Sequence, residues 1–517
     1  MLGDAGPERD DANCAPAGVP PGSRAALLGS LALVAGAAFA YLRTLLPTMG
    51  FGGDTAKFQF VGYVLGVPHV PGYPTYTVVN FLFTHLVPVG SIAYRANLLS
   101  AVFAVAAVAV LDRTLLRLGV RRLLSLAISL SFSLTFTFWS HAVVAEVYTL
   151  TVLFMALGLH FLVRWGQLRR DADLLAAMAI FGVALGHALS VYLLAPGLLA
   201  YAAVSDRRLL RRPGMILAAF GFVALGFSQY GYLVWRTLDP GTAFLETRIT
   251  GLRSFVDVVT GAAFRPFMWH YSLRELWADR LPLLVRFLWR EWSLLLPVAV
   301  YGLVRLGRAP LNVMLVAWAL LVTIFGLEYA IPDVYVTFVP TYFVLAVWAG
   351  VGLEGIARRL PLRWVAALTA VALALPLAFA ALNLPMVDQS KATRIAEATE
   401  EALAAMPDRS VVFSPDFAHY MFFGYYTLGE GLEGKRHIYA YPFESVKAPV
   451  AAYCRGETSL LLWPERKSLP PGLRAFAYGD AFARTLALEG LVTSPVIGEL
   501  FAISCPETVQ VPGKQTR

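Results

Sequence analysis

The sequence predicts an all-α polytopic membrane protein of about eleven transmembrane helices carrying a small C-terminal α/β domain. Three observations predict it. Of 517 residues 58% are hydrophobic and only 15% charged, with a mean hydropathy of +0.62, well beyond an ordinary soluble domain. Apolar runs close to the length that crosses a ~30 Å hydrocarbon layer recur from residue 26 to residue 385. After about residue 386 the runs shorten and alternate with turn residues.

Residues 1–24, rich in Pro, Gly, Asp and Arg, read as a disordered tail. The first apolar run is too long for a signal-peptide core and lacks a small-residue cleavage pattern, so no cleavable signal is expected. The membrane domain, 25–386, holds runs near 26–46, 95–117, 122–139, 147–164, 174–188, 190–204, 213–235, 292–306, 311–327, 335–354 and 363–385. The pair within 174–204 also reads as one helix broken at Gly186 and His187, and charge decides between the counts. With eleven spans, Arg113, Arg117, Arg121, Arg122, Arg169, Arg170, Arg207, Arg208, Arg211, Arg212, Arg305, Arg308, Arg358, Arg359 and Arg363 share one side, which is then the cytoplasm. The same rule accounts for the net charge of +8, so no nucleic-acid partner is expected.

The N-terminal tail is thereby cytoplasmic, and loops 47–94 and 236–291 and the domain 387–517 face outward from the plasma (inner) membrane. The segment 236–291 resists the rule, holding Arg236, Arg248, Arg253, Arg265, Arg274, Arg280, Arg286 and Arg290. Its length weakens the rule, and it reads as amphipathic helices on the membrane or as a binder of an anionic group. In the last domain "RSVVFS", "RHIYAY" and "SLLLW" read as strands, and "PDFAHYMFFGYYTLGEG" and "FESVKAPVAAYCRG" as helices. Cys454 and Cys505 share the oxidising side, where either a disulfide or two free buried thiols fits.

The polar stretch "GGDTAKFQFVGYVLGVPHVPGYPTY", residues 52–76, follows the first span directly. Asp54 opens an expected helix in which Phe58, Val61 and Leu65 recur at helical spacing, stopped at Gly66. Asp54 is there either an N-cap or a functional acid. His69 and Tyr73 lie in rigid Pro-rich turns ahead of an apolar stretch, 75–89, too short for a sure span. A long outward loop of this kind is a platform for chemistry at the lipid surface.

"GGDTAKFQ", "LGVPHVPGYPTY", "AYRANLLSAV" and "FWSHAVVAEVYTL", in this order, resemble a bacterial membrane-protein family of long-unknown function. That family is related to the eukaryotic transmembrane O-mannosyltransferase of plexin-type receptors. The likeness continues through "GHALSVYLLAPGLL", "SQYGYLVWRTLDP" and "EYAIPDVYVTFVP", roughly residues 48 to 350. It implies a GT-C-like fold and a glycosyltransferase that moves a sugar, with inversion, from a polyprenyl-phosphate donor to an acceptor hydroxyl of a protein, glycan or lipid at the outer membrane face. By motif position the resemblance implies Asp54 as general base, able to take the hydroxyl proton during attack. The residue three after the Asp is commonly acidic in that family and is Lys57 here, one helical turn away. Lys57 then either pairs with Asp54, holding it ionised and lowering its basicity, or faces the donor phosphate.

Further candidates for binding substrate or donor are His69, Tyr73, Arg95, His141, Glu146, Tyr148, His187 and Asp333. Glu146 stands at the edge of a span, where a carboxylate is costly unless paired or wet, and otherwise reads as a charge complementing a helix dipole. Arg95 fits a snorkelling anchor as well as a phosphate ligand. Metal-ligand spacing and phosphate-cradling glycine loops are absent, and no cofactor is expected. Two other classes stay open: a transporter or flippase of a lipid-linked intermediate, and an inactive relative binding envelope glycans or proteins. The gathering of acids and histidines at one face, rather than mid-span, favours surface chemistry.

Overall fold

The computed structural model describes residues 24–442, 450, 454, 461–462, 467–468, 473–488 and 491–504. The expected tail lies outside these residues, as does most of the stretch around "FESVKAPVAAYCRG". In chain order the helices of the first half are α1 (Arg24–Thr44), α2 (Gly53–Phe60), α3 (Pro74–Leu86), α4 (Ile92–Arg117), α5 (Arg122–Ser133), α6 (Phe136–Ala142), α7 (Tyr148–Leu168), α8 (Asp171–Leu185), α9 (Ala195–Ser205), α10 (Pro213–Phe227) and α11 (Gly231–Leu238). Then come α12 (Leu252–Val259), α13 (Leu273–Glu275), α14 (Leu281–Trp292), α15 (Leu295–Leu306), α16 (Pro310–Glu328), α17 (Val339–Ala357) and α18 (Leu362–Val387). Each of the eleven expected runs is helical. Seven helices among the described residues are long and apolar enough to cross a membrane, or eight if the pair α5 and α6, bent by 69°, is one span. The chain is therefore a multi-pass membrane protein, and the remaining runs fall short in length. Residues 174–204, expected as two spans, instead form α8, the 3-10 turn Leu189–Leu194 and α9, interrupted at Gly186 and His187, with neither helix long enough to count among the seven.

The bundle is built around α17, which is buried along almost its whole length. Against it α15 packs through facing glycines: a Cβ on Gly302 would fall 1.8 Å from the carbonyl oxygen of Trp348, and one on Gly352 2.2 Å from that of Val298. Such close backbone approach is how helices associate in lipid, where burial of apolar surface supplies no drive. Toward the arginine-rich end, Asp112 of α4 is fully buried and pairs with Arg122 at 2.7 Å, with Ser125 donating at 2.7 Å and Ser30 of α1 at 3.1 Å. Fully partnered, this charge fixes the mutual register of α1, α4 and α5.

The long segment after α11 forms helices whose outward face carries the exposed apolar residues Trp269, Leu273, Trp277, Val285 and Trp289, as an element lying at a membrane interface requires. Several arginines of the stretch 236–291 are spent internally. Arg236 donates to the carbonyl of Leu65 at 2.8 Å and pairs with Asp239. Arg280 donates to the carbonyls of Gly326, Leu327 and Tyr329, closing the C-terminal end of α16.

Beyond α18 come α19 (Arg394–Ala405), β1 (Ser410–Ser414), α20 (Phe417–Gly424), α21 (Leu432–Arg436), β2 (Ile438–Pro442), the short antiparallel pair β3 (Leu461–Leu462) and β4 (Lys467–Ser468), β5 (Arg474–Tyr478), helix Asp480–Leu488, β6 (Val492–Ile497) and β7 (Leu500–Ser504). The main sheet has the order β2-β1-β5-β7-β6, parallel across β2, β1 and β5 and antiparallel from β5 to β7 to β6. β1 is buried on both faces: Val411 and Phe413 meet Phe482 and Leu486, while Val412 meets Leu403 and Phe423. "RSVVFS" and "RHIYAY" are thus strands, and "SLLLW" contributes only the two residues of β3. Cys454 is disulfide-bonded, and its expected partner Cys505 lies outside the described residues.

The arginine asymmetry generates a test of orientation. Gly214, at the arginine-rich start of α10, and Gly434, in α21, both have open space where a Cβ would stand. In intact cells an impermeant thiol reagent is expected to label Gly434→Cys and not Gly214→Cys, over the background of the chain's own three cysteines. The reverse pattern would invert the orientation.

Candidate active site

Asp54 sits in the first turn of α2, but the N-cap is Gly52 and no side chain caps this helix. The carboxylate turns instead to Lys57, one turn on, at 2.9 Å. Lys57 is fully buried, and its ammonium also reaches Glu246 at 3.1 Å and His69 Nδ1 at 2.7 Å, with the Phe417 ring 4.8 Å away. Since Lys57 only donates, His69 Nδ1 accepts here, leaving Nε2–H to face the Tyr73 hydroxyl at 3.3 Å. Burial and the neighbouring Lys57 push His69 below the ordinary imidazole range, so the ring is neutral.

Backbone and packing hold this cluster in place. Val67 donates to the carbonyl of Phe244 and accepts from Glu246 N, both at 2.8 Å, so a two-residue parallel bridge sets Glu246 beside Lys57. Gln59 donates to Asn97 of α4 at 3.0 Å, and Asn97 in turn holds the carbonyl of Leu46 and the amide of Ala145. Gly72 has φ +83, and a Cβ there would strike Leu233 at 2.7 Å, so only glycine fits where "PGYP" turns. The same turn sets Tyr73 in the left-handed region, φ 43, and aims its ring at His69.

A cleft enclosing about 1020 Å³, counted to its open mouth, lies at this end of the bundle. Asp54, more than half exposed, and His69 line it beside Tyr73. Tyr148 and Thr151 reach it from α7, Phe264 and Met268 from the long outer segment, and Asp333 from the loop after α16. The wall is largely apolar, with Tyr73, Tyr148, Tyr329, Thr151, Ser190 and Thr337 adding hydroxyls, and no Lys or Arg is among the described lining residues. Loss of water raises the Asp54 carboxyl, but the Lys57 ammonium at 2.9 Å outweighs it and holds the acid at about 2. Glu146 moves the other way: burial, with Asp54 adding, pushes it up to about 8 even though Thr55 donates to it at 3.0 Å. One carboxyl is held charged and its neighbour neutral at pH 7.

The structure therefore brings Asp54, His69, Tyr73, Tyr148 and Asp333 to one cleft, with Lys57 beneath its floor and Glu146 beside Asp54. His141 stands behind the wall, its ring 4.9 Å from Tyr148 and its Nδ1 2.7 Å from the carbonyl of Thr137. His187 is fully buried and binds the carbonyl of Val147 at 2.8 Å, bracing a lining residue from outside the cleft. Arg95 is elsewhere: it reaches the carbonyls of Ser91 and Thr84 and ties the end of α3 to α4. Sequence reading missed Glu246, one of six acids in 236–291, and Phe264, Met268, Phe325 and Tyr329, whose approach depends on the tertiary fold.

With this geometry in hand, the comparisons become informative. Residues 54–210 match the family model described as the Protein O-mannosyl-transferase TMEM260 N-terminal domain. The mouse Protein O-mannosyl-transferase TMEM260 is 33% identical over 184 residues, which is 34% of this chain and 26% of that protein. Its Dictyostelium discoideum counterpart is 27% identical over 127 residues, 24% of this chain and 15% of that one. The matched part thus spans about a quarter or less of these relatives, and it is shorter than the stretch 48 to 350 over which the motifs resemble the family. Among solved structures, ArnT from Cupriavidus metallidurans in the apo state superposes with TM-score 0.63 at 14% identity, over 94% of this chain and 100% of that one. ArnT bound to undecaprenyl phosphate gives 0.62 at 14%, over 95% and 100%. The chain shares the fold of these ArnT structures over nearly its whole length.

Two outcomes follow from the charges. Lys57→Met leaves Glu246 largely buried without its cation and is expected to cost about 3 kcal/mol or more of stability, much of it recovered in Lys57→Met/Glu246→Leu. Thermal unfolding of both variants in detergent checks this, and a Lys57→Met protein melting like the parent contradicts it. For Glu146 the folded value lies above the ordinary carboxyl value of about 4.3, so its contribution is full below that pH and is lost as pH rises through about 8. The melting temperature of Glu146→Gln relative to the parent should therefore be level below about pH 4 and climb between about pH 5 and 8.

Proposed function

We propose that the chain is a membrane glycosyltransferase that takes a sugar from a polyprenyl-phosphate donor and passes it to an acceptor hydroxyl at the outward face of the plasma membrane. The observation that carries this reading is the cleft itself: an ionised carboxylate, Asp54, in a largely apolar cleft whose wall includes aromatic and hydroxyl groups, at one end of an apolar helix bundle. Aromatic faces suit a sugar ring and an isoprenoid, while hydroxyls and imidazole suit a phosphate oxygen. The fold shared with an ArnT that was solved with undecaprenyl phosphate supports the donor class. The sequence likeness to Protein O-mannosyl-transferase TMEM260 supports a mannosyl donor and a protein hydroxyl as first choices.

In this mechanism the acceptor oxygen attacks the anomeric carbon from the side opposite the phosphate, and the carbon–oxygen bond to the phosphate breaks with inversion. The acceptor proton passes to Asp54, and the polyprenyl phosphate leaves with the bonding electron pair. An acid held near 2 is a weak base. It suffices where the hydroxyl loses its proton late, because bonding to a carbon of oxocarbenium character makes that proton strongly acidic. The neutral ring of His69 and the hydroxyls of Tyr73 and Tyr148 are the donors we assign to the phosphate and sugar. Glu146, protonated beside Asp54, keeps a second negative charge out of the site.

Asp54→Asn keeps size and removes the proton acceptor, and general-base loss typically costs roughly 10²- to 10⁴-fold in rate. Purified protein supplied with radiolabelled polyprenyl-phosphate mannose and a panel of related sugars should lose transfer to that extent in Asp54→Asn while still folding, as its melting temperature reports. An Asn variant with parental turnover removes Asp54 from the mechanism, and parental protein that transfers none of the sugars removes the reading.

A further inference from the structure

Beside the bundle's arginine-rich end, α8, α9 and α10 line a second, open-sided space of about 1110 Å³ counted to its mouth. The two spaces share no lining residue, although Ser190 of the cleft and Ala195 of the groove stand only five residues apart across the 3-10 turn that leads into α9. Every lining residue is apolar, among them Met178 of α8, Leu199 of α9 and Phe220 of α10. The groove ends against the 3-10 turn Arg207–Arg211, whose Leu209 and Leu210 form its last wall. Asp206 fixes that turn by accepting from the amide of Arg208 at 2.9 Å.

The charges around the turn are uneven. Arg212 is held bidentate by Asp171, with Nη1 at 3.0 Å from Oδ1 and Nη2 also on Oδ2. Arg207, Arg208 and Arg211 are exposed, and none has an ion-pair partner among the described residues. Three exposed arginines thus belong to the turn whose Leu209 and Leu210 close a groove that offers nothing polar inside. From this juxtaposition we propose a site for one anionic phospholipid, its acyl chain in the groove between α8, α9 and α10 and its phosphate headgroup on Arg207, Arg208 and Arg211.

An apolar slot of ligand-pocket size with a cationic rim matches a lipid in both its parts. Basic pockets between transmembrane helices on the cytoplasmic side hold anionic headgroups by the same arrangement. A neutral lipid would fill the groove but leave the three cations without a counter-charge, so the arginines set headgroup choice and the groove sets retention. The site is separate from the cleft, and its occupancy is read without any transfer reaction.

The test uses the full purified chain and native mass spectrometry, with dioleoyl phosphatidylglycerol and dioleoyl phosphatidylcholine as probes. The parent is expected to retain phosphatidylglycerol in preference. Arg207→Gln/Arg208→Gln/Arg211→Gln should lose that preference by roughly tenfold while keeping phosphatidylcholine. Ala219→Phe, which fills the groove with the arginines intact, should lose both lipids. Parental preference in the triple variant, or unchanged retention in Ala219→Phe, overturns the site. Displacement of phosphatidylglycerol by undecaprenyl phosphate also overturns it, since the groove would then belong to a polyprenyl chain.

Discussion

A buried ammonium has to be surrounded by anions and acceptors, and Lys57 draws them from stretches far apart in the chain. Asp54 comes from its own helix, His69 from the following turn, Glu246 from the second outer segment and the Phe417 ring from the C-terminal domain. Removing any of the anions leaves a charge uncompensated in a dry place, which is far costlier than losing a surface pair. Lys57 therefore acts as a clasp for three parts of the molecule at the point where the cleft begins. Its consequence for chemistry is that Asp54 is always charged under physiological conditions.

The same neighbourhood sorts two carboxyls into opposite states. Asp54 has a cation within 2.9 Å and water on its open side, whereas Glu146 has neither a cation nor free access to solvent. Two acids whose surroundings separate their proton affinities this widely are what acid–base chemistry in one pocket calls for. The cleft wall provides no Lys or Arg for a phosphate, so a donor's charge would be met by hydroxyl and imidazole donors and by the partial screening of Asp54 by Lys57.

How much of this was legible in the sequence follows from distance along the chain. The Asp54–Lys57 pair lies within one helical turn, and residue spacing offered it as one of two readings of Lys57. The eleven apolar runs, the break at Gly186 and the strands around Val412 and Tyr439 are local patterns and were readable too. Span count is a weaker inference, because apolar runs such as those of α8, α9 and α15 are shorter as helices than the composition suggests. Glu246 lies 189 residues from Lys57, and nothing in its local context marks it. His187 and Arg95 look functional by type and position, yet each is used to hold backbone carbonyls, a role visible only in three dimensions.

The helix carrying Asp54 belongs to two structures at once. On one side Gln59 joins Asn97 within the bundle, and on the other Phe60 lies against Gly424 and Gly429 of the C-terminal domain while Tyr425 accepts from the amide of Ala93. Met49, Phe58, Phe244, Tyr420 and Met421 share a single core across that boundary. The C-terminal domain is thus part of the scaffold that fixes α2. A shift of the domain would move Asp54 relative to the α7 and α17 side chains that complete the cleft, and an error of about 1 Å in such placement is enough to cost a reaction two orders of magnitude. This coupling links the C-terminal domain to the placement of Asp54 even though none of its described side chains lines the cleft.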